Sequence, residues 1–257
     1  DVQVSKNWIN PLVSFLEKNE KFSVVQPKIL DLKKKSHFEY SGAAGGFIDY
    51  IGIPFCRGRI GSVIEKDEGQ YNKPSSIFWA SGACFLIKRE VFLKVGGFDE
   101  DFKMHQEEID LCWRFQAMGF QVWSEPKLVI YHKNAVSLPM YTHRKYYLNH
   151  RNSLLMLFGN YSISVAFYVG FIRTMLEFVA LGYAFVKMDW NHVTGILRSL
   201  GWILIHPITI LKKRSRFNQI RKLRDSEIME GMTKTAVVLA HYLGGKKTYL
   251  EMVSKAS

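Results

Sequence analysis

Residues 96–119, GGFDEDFKMHQEEIDLCWRFQAMG, decide how the rest of the chain is interpreted. Two glycines followed by FDED at 98–101 predict a turn that continues neither a helix nor a strand. The spacing after it predicts an amphipathic helix over 107–118 that stops at a glycine. Carboxylates occupy three of its first four positions: Glu107, Glu108 and Asp110. Solubility does not require so many acidic side chains in one turn, so they indicate a functional cluster. The alternative is an acidic first turn that simply complements the helix dipole.

Composition predicts a packed domain in a reducing compartment. Apolar residues make up 47% and aromatic residues 14% of the 257 residues, which argues against disorder. Cys56, Cys84 and Cys112 are an odd number without CxxC spacing, so neither a disulfide framework nor a zinc site is expected. A cytosolic setting fits these thiols best.

The net charge of +12 is concentrated in the second half of the chain. Residues 1–140 hold 18 Lys and Arg against 17 Asp and Glu, whereas residues 141–257 hold 17 against 6. An anionic partner such as a membrane face is therefore expected for the C-terminal part. Nucleic acid is not expected, because the basic residues alternate with long apolar runs instead of base-stacking aromatics.

Local patterns place the other elements of the first 158 residues. Helices are predicted over 8–17, 89–95 and 142–158, and strands over 22–26, 77–87, 121–124 and 128–131. Residues 31–70 are rich in glycine and charge, and a loop of that length is usually functional or mobile. Arg57 and Arg59 within it could meet a phosphate, and solvated loop arginines are the alternative. His132 ends a strand, where it could ligate a metal, carry a proton or be a plain surface histidine.

The C-terminal part contains two long apolar runs, 163–186 and 193–211. Arg173 and Glu177 interrupt the first and share a helix face, where they could pair. Because a spanning helix needs about 20 apolar residues with few charges, helices lying in the membrane interface are favoured over a hairpin that crosses it. The basic cluster at 212–216 would then lie on the anionic cytoplasmic leaflet. A buried helical bundle is the alternative.

Five motifs in order resemble family 2 glycosyltransferases, most closely the bacterial rhamnosyltransferase-like branch. They are WASGA at 79–83, VGGFDE at 95–100, EEIDLCWR at 107–114, YH at 131–132 and RN at 151–152. The resemblance covers about residues 1–158 and implies a GT-A fold, an α/β sandwich that binds a nucleotide-sugar. A catalytic region over 1–158 followed by a helical, basic, membrane-associating region over 159–257 is therefore expected. Its location would be the cytoplasmic face of the inner membrane, peripheral or monotopic.

The resemblance also implies a divalent metal, Mn²⁺ or Mg²⁺, on the diphosphate of the donor. Asp1 aligns with the last carboxylate of the family's Asp-x-Asp motif, and His132 is the second candidate ligand. We accordingly expect the family's nucleotide-binding half to lie before residue 1 and to be missing here.

The implied activity is inverting transfer of a sugar from a nucleotide-diphosphate sugar to a hydroxyl of a glycan or lipid-linked acceptor, in the synthesis of a cell-surface polysaccharide or glycolipid. Glu108 would be the general base, kept ionised by the helix N-terminus, with Glu107 and Asp110 in support. The implied substrate-binding residues are Trp79, Ser81, Gly82, Arg114, Arg151 and Arg144, the last two on the diphosphate. The alternative is a truncated, non-catalytic module at the membrane that binds a glycan or a protein partner.

Overall fold

The computed structural model of the chain describes residues 2–133 and 141–254. The strands are β1 (Val2–Gln3), β2 (Phe22–Asp31), β3 (Gly46–Ile48), β4 (Pro54–Cys56), β5 (Arg59–Ile60), β6 (Val63–Ile64), β7 (Ser75–Ile77), β8 (Leu86–Ile87) and β9 (Gln121–His132). The helices are α1 (Ile9–Leu16), α2 (Arg89–Lys94), α3 (Glu107–Ala117), α4 (His143–Asn160), α5 (Ile163–Val186), α6 (Trp190–Ile205), α7 (Pro207–Ile220), α8 (Asp225–Met229), α9 (Val237–Tyr242) and α10 (Tyr249–Val253). The predicted fold class, an α/β region followed by helices, is confirmed.

The larger sheet is built around β2 and β9, which run parallel over almost their full length. Its order is β1–β9–β2–β8, and β7 pairs antiparallel with the first residues of β9. Parallel strands bring their carboxyl ends to the same edge, so Asp31 and His132 end side by side. That edge is where the candidate site lies.

Successive residues of β2 point to opposite faces of this sheet, as the strand period requires. Val25 packs with Leu12 and Phe15 of α1 in a small cluster on one face. Val24 belongs to the main core on the other face, which includes α3 and α4. The sheet is therefore sandwiched between helices, and the acidic start of α3 is fixed from behind by buried apolar side chains such as Trp113.

The smaller sheet, β3–β4–β5–β6, is antiparallel and is covered by the end of the chain. The carboxylate of Asp49 accepts from the Val237 amide at 2.9 Å, and Tyr249 lies against Phe47 with ring centroids 4.8 Å apart. Residues 222–254 thus pack on the α/β region itself. The predicted boundary after residue 158 falls within α4, and the chain beyond it returns to the sheets.

The structure corrects two strand predictions. The strand predicted over 77–87, with an interruption at the small residues 81–83, has regular pairing only at its two ends, β7 and β8. A turn at the interruption separates them: the Ser81 carbonyl accepts from the Cys84 amide at 3.2 Å. The two strands predicted around Pro126 are a single strand, β9. Its pairing jumps from Glu125 to Val129 opposite consecutive residues of β2, and this bulge accommodates a proline that has no amide to donate.

The C-terminal helices form a packed unit with α4. By length and apolar composition, α5 could cross a membrane, and α6 with α7 could form a second span bent by 72° at Pro207. Those are the candidates within the parts of the chain that are described. The inward face of α5 is small or charged, whereas its outward face exposes large apolar side chains, including Phe167, Phe171 and Phe178.

The basic cluster at 212–216 is largely used inside the protein. Lys213 is buried and donates to Asp110, and Arg214 donates to the carbonyls of Phe158 and Tyr161. Arg216 is within 3.4 Å of Asp99. Contact of this cluster with an anionic leaflet stays a prediction: Lys213 and Arg214 are held inside the protein, whereas Lys212 is exposed and the Arg216 side chain is 60% exposed.

Candidate active site

The helix α3 begins after a loop whose backbone is in an unfavourable conformation. Lys103, His105 and Gln106 all have positive φ, between 61° and 68°, although none is glycine. Such residues persist only where the surrounding structure imposes the conformation, and they concentrate at functional sites. Here the loop sets the direction in which the first side chains of α3 point.

The Arg151–Asn152 pair of α4 holds this loop in place. Asn152 Nδ2 donates to the carbonyls of Phe102, Met104 and His105 at 3.0, 2.8 and 2.7 Å. Arg151 Nη2 donates to the carbonyls of residues 101 and 102 at 2.6 and 3.0 Å, and its Nε donates to Asn152 Oδ1 at 2.8 Å. These bonds fix the loop by its carbonyls, independently of its side chains.

A cavity of about 790 Å³ opens in front of the first turn of α3. Its walls come from the loop before α3, the smaller sheet, α4, α5 and α9. The side chains that carry chemistry along it are Tyr40, Arg59, Trp79, His105, Glu107, Glu108, His132, Lys145, Tyr146, His150 and Arg173. Sugar- and phosphate-sized ligands fit a cleft of this size and polarity.

Glu107 and Glu108 place two carboxylates on this cavity. The Oε2 atom of each is enclosed and has no hydrogen-bond partner among the described residues. Burial, and next the neighbouring Glu107 charge, raises the pKa of Glu108 to about 8. Hydrogen bonds from the backbone amides of Glu108, Gly82 and Gln106 lower this pKa, but by less than burial raises it. The expectation that the helix N-terminus keeps Glu108 ionised at neutral pH is therefore wrong, because desolvation outweighs the dipole.

The raised pKa makes the Glu108 side chain a stronger base once it has lost its proton, since basicity follows pKa. A group whose pKa lies near the working pH combines a useful ionised fraction with a strong tendency to take up a proton. His105 beside it behaves oppositely: burial lowers its pKa to about 4, so the ring is neutral. The position of His105 in the loop gave no signal in the sequence.

Cations lie on two other walls of the cavity. Arg59, on β5, sits over the Tyr40 ring at 4.4 Å, and its Nε is enclosed without a partner in the described structure. On the helical wall lie Lys145 and Arg173, and the predicted pairing of Arg173 with Glu177 is confirmed at 2.5 Å. Sequence reasoning noted Arg59 but missed Lys145 and Arg173 as cavity residues, because only the packing of α4 and α5 turns them inward.

Three of the predicted substrate-binding residues surround the carboxylates. Trp79 lines the cavity, and its Nε1 donates to the Phe47 carbonyl at 2.8 Å. Gly82 lies against Glu108: a Cβ added there would be 3.9 Å from the carboxylate carbon. Ser81 is buried behind them, where its amide donates to Gln26 Oε1 at 2.8 Å. Ser81 therefore shapes the cavity wall rather than facing the ligand space.

Asp110 and Arg114 point away from the cavity into the core. Asp110 is fully buried and accepts from Arg114 at 2.9 Å, Lys213 at 2.6 Å and Asn160 at 2.9 Å. Lys213 and Arg114 lower the pKa of Asp110 and more than offset its burial. This cluster joins α3 to α7. Asp110 and Arg114 therefore hold α3 in position and do not lie beside Glu108 in the cavity.

The two arginines predicted to contact the diphosphate do not line the cavity. Arg151 is buried in the loop clamp described above and also lies over the Trp202 ring at 4.9 Å. Arg144 is exposed on the outer side of α4. The cations that do line the helical wall of the cavity are Lys145 and Arg173.

Of the two predicted metal ligands, His132 is among the described residues and Asp1 lies outside them. His132 lies on the cavity with Nδ1 3.2 Å from Glu39 Oε1, and it pairs in register with Val2 of β1. Across 2–133 and 141–254, no group of three or more His, Cys, Asp or Glu side chains could hold a metal ion. The described donors alone therefore do not fit a Mn²⁺ or Mg²⁺ site.

Comparison with known families identifies the α/β region. Residues 18–164 match the model of the glycosyltransferase-like family 2. The chain belongs to this family. The match runs from just before β2 to the start of α5, so it includes the loop clamp, the two carboxylates and the helical wall made by α4. The predicted family resemblance is confirmed.

Curated relatives carry names from glycan synthesis. The O-antigen biosynthesis protein RfbC of Myxococcus xanthus is 29% identical over 139 residues, 52% of this chain and 10% of that protein. The N-acetylglucosaminyl-diphospho-decaprenol L-rhamnosyltransferase of Mycobacterium tuberculosis is 41% identical over 56 residues, 21% of this chain and 18% of that one. The chain thus spans a small part of these relatives. A solved structure of GalNAc-T7 with UDP, GalNAc and Mn²⁺ aligns at 17% identity and a TM-score of 0.39, covering 54% of this chain and 27% of that one, too distant to support an argument.

Proposed function

We propose that the protein is an inverting glycosyltransferase that moves a sugar from a nucleotide-diphosphate sugar to an acceptor hydroxyl, with Glu108 as the general base. The observation that carries the proposal is the enclosed, unpartnered Glu108 carboxylate oxygen on a cavity that belongs to a family 2 fold. An acceptor hydroxyl is a poor nucleophile until its proton is removed. A carboxylate with a raised pKa can take that proton as the oxygen attacks the sugar's anomeric carbon.

The surrounding residues fit the other needs of this reaction. After burial, the neighbouring Glu107 carboxylate is the next cause that raises the pKa of the base. Arg59 on the opposite wall can stabilise the diphosphate as it leaves with its bonding electrons, because a guanidinium binds phosphate oxygens strongly. Trp79 is part of the buried wall of the cavity on the carboxylate side. Attack by the acceptor opposite the departing diphosphate inverts the anomeric configuration.

One variant and its matched control test whether sugar transfer depends on Glu108. The full chain is incubated with uridine, thymidine and guanosine diphospho-sugars and with glycan or lipid-linked acceptors, and release of nucleoside diphosphate is measured. Glu108→Gln, which keeps the shape but cannot accept a proton, should lose about 100-fold or more in kcat. Glu100→Gln, an exposed acid in the preceding turn, is the matched control and should be unaffected. Full activity of Glu108→Gln would exclude it as the base. Glycan binding without transfer by the unaltered chain would favour the non-catalytic alternative.

We also propose that the protein works on the cytoplasmic face of a membrane, with the outward side of α5 in the lipid interface. Support comes from the side chains of Phe167, Phe171 and Phe178, which are 73%, 66% and 52% exposed. Because the cluster at 212–216 is mostly engaged internally, apolar burial and not charge should dominate the binding. Vesicle co-sedimentation should therefore show binding to neutral as well as anionic lipid. A Phe171→Ser, Phe178→Ser double variant should reduce it and Phe98→Ser should not; unchanged binding of the double variant would contradict this interface.

A further inference from the structure

The wall of the cavity opposite the sheets contains a buried charged group that the transfer mechanism does not use. Arg173 of α5 is 7% exposed and lines the same cavity as Glu108. Its Nη1 pairs with Glu177 at 2.5 Å, and its Nη2 is 3.4 Å from Ser153 Oγ. Its Nε is enclosed and has no hydrogen-bond partner among the described residues. A buried guanidinium with unused donors is costly unless a ligand completes its bonds.

The neighbours of Arg173 favour an anion at this wall. His150 lines the cavity beside it, held by Glu177 at 2.6 Å through Nδ1 and by His192 at 3.0 Å through Nε2. Lys145 lies one turn earlier on α4 and also lines the cavity. Arg173 and Lys145 thus place two cationic side chains on the same wall of the cavity. Phosphate oxygens are the partners that guanidinium and ammonium groups bind best.

The same helix that supplies Arg173 to the cavity exposes apolar side chains on its other side. Phe171 and Met175 flank Arg173 in sequence and are 66% and 42% exposed. At the cavity itself, Tyr141 and Tyr242 are 70% and 72% exposed and so form an aromatic rim. A ligand whose phosphate reaches Arg173 therefore meets the apolar rings of Tyr141 and Tyr242 at the rim of the cavity. A nucleotide-sugar has no apolar part to place against them, whereas a lipid-linked phosphate has one.

We propose that Arg173, assisted by Lys145, is the phosphate-binding subsite for a lipid-linked acceptor, which places the acceptor sugar in front of Glu108. This rests on the proposed transferase function and assigns the acceptor side of the cavity to α4 and α5. The donor diphosphate then belongs to the opposite wall, with Arg59 and His132. Arg173 acts as a binding and positioning residue and takes no part in bond making.

The test measures binding and does not require turnover. Isothermal titration of the full chain uses farnesyl diphosphate, farnesol and UDP as probes. Arg173→Gln with Glu177→Gln removes the cation and its counter-charge together, so no unpaired charge is left buried. Arg198→Gln, at an exposed arginine of α6 that does not line the cavity, is the matched control. The double variant should bind farnesyl diphosphate about 10- to 100-fold more weakly, the range expected for lost charge-assisted hydrogen bonds, with UDP binding unchanged. Arg198→Gln should keep the preference for farnesyl diphosphate over farnesol.

Three results would overturn the subsite. They are no preference for farnesyl diphosphate over farnesol in the unaltered chain, an unchanged preference in the double variant, and a loss of UDP binding instead, which would make Arg173 a donor residue. Arg173→Lys keeps the positive charge and serves as the control for misfolding. It should have a normal melting temperature and should retain part of the preference for farnesyl diphosphate over farnesol. Failure of the transferase proposal would be distinguishable, because farnesyl diphosphate binding and its dependence on Arg173 are measured without turnover, whether or not any transfer is observed.

Discussion

Replacing Asn152 with alanine should disable the site without touching a side chain that faces the ligand space. Its Nδ2 makes three hydrogen bonds to the carbonyls of the loop before α3, at 2.7–3.0 Å. At about 0.5–1.5 kcal/mol net for each bond, their loss lowers the free energy of unfolding by roughly 2–4 kcal/mol. The loop would also be released from its left-handed conformation at Lys103, His105 and Gln106, which is unfavourable for side chains with a Cβ. Glu107 and Glu108 would then move with it.

The expected effect on catalysis is larger than the effect on substrate binding. A misplacement of about 1 Å at a reacting group can reduce the rate about 100-fold. For Asn152→Ala we therefore expect kcat in the nucleotide-sugar transfer assay to fall by about that factor, with a small change in the donor KM. The free energy of unfolding would be measured by urea denaturation monitored by circular dichroism.

Two further variants sharpen the interpretation. Asn152→Asp keeps the oxygen that accepts from Arg151 but turns the donor into a second acceptor facing three carbonyls, so it should be as inactive as Asn152→Ala. Asn19→Ala removes an exposed asparagine that accepts only a turn amide, and it should leave kcat unchanged. If Asn152→Ala loses stability but keeps kcat within about twofold, the loop conformation does not control the catalytic carboxylates and the reasoning fails.

Two other predictions concern charge. Because the folded-state pKa of Glu108 is raised to about 8, kcat/KM should rise with pH up to an inflection near that value, and the stability that the protonated group contributes should be lost between pH 4.5 and 8. Glu108→Gln should accordingly be more stable than the unaltered chain at pH 8.5, by on the order of 5 kcal/mol, and equal to it at pH 4. A flat stability difference across that range would contradict the buried-acid explanation. Lys213→Met leaves Asp110 without one of its two cations and should lower the free energy of unfolding by about 3–5 kcal/mol. Lys212→Met, at the exposed neighbouring residue, is the control and should not lower it. Equal effects of the two variants would mean that the α3–α7 ion cluster does not join the helices.

Local sequence signals were sufficient for the elements whose formation depends on neighbouring residues. The glycines around α3, its acidic first turn and the period of its apolar positions predicted the helix to within one residue. The same is true of α2 and α5, where spacing and flanking residues determine the ends. The Arg173–Glu177 pair was also predictable, because an i,i+4 separation puts two side chains on the same face regardless of what surrounds the helix.

Strand content was harder to predict because pairing depends on distant parts of the chain. Residues 77–87 are apolar enough for one strand, yet their ends pair with β9 and β2, on different sides of the sheet. Pro126 suggested a break, and β9 nevertheless continues through it because a bulge absorbs the missing amide. Neither outcome can be obtained without knowing the partner strand.

The sequence by itself was sufficient to predict the family and the two carboxylates of the site, Glu107 and Glu108. The motifs that contain them are contiguous in sequence, and the reaction chemistry determines which residue types they need. Tertiary structure decided what surrounds them. Arg151, which the motif suggested for phosphate binding, clamps a loop, and Asp110 neutralises a lysine 103 residues away. Arg173 and Lys145 became cavity residues through the packing of α5 on α4. Burial, which no local pattern reports, also raised the pKa of Glu108 where the helix terminus alone would have lowered it.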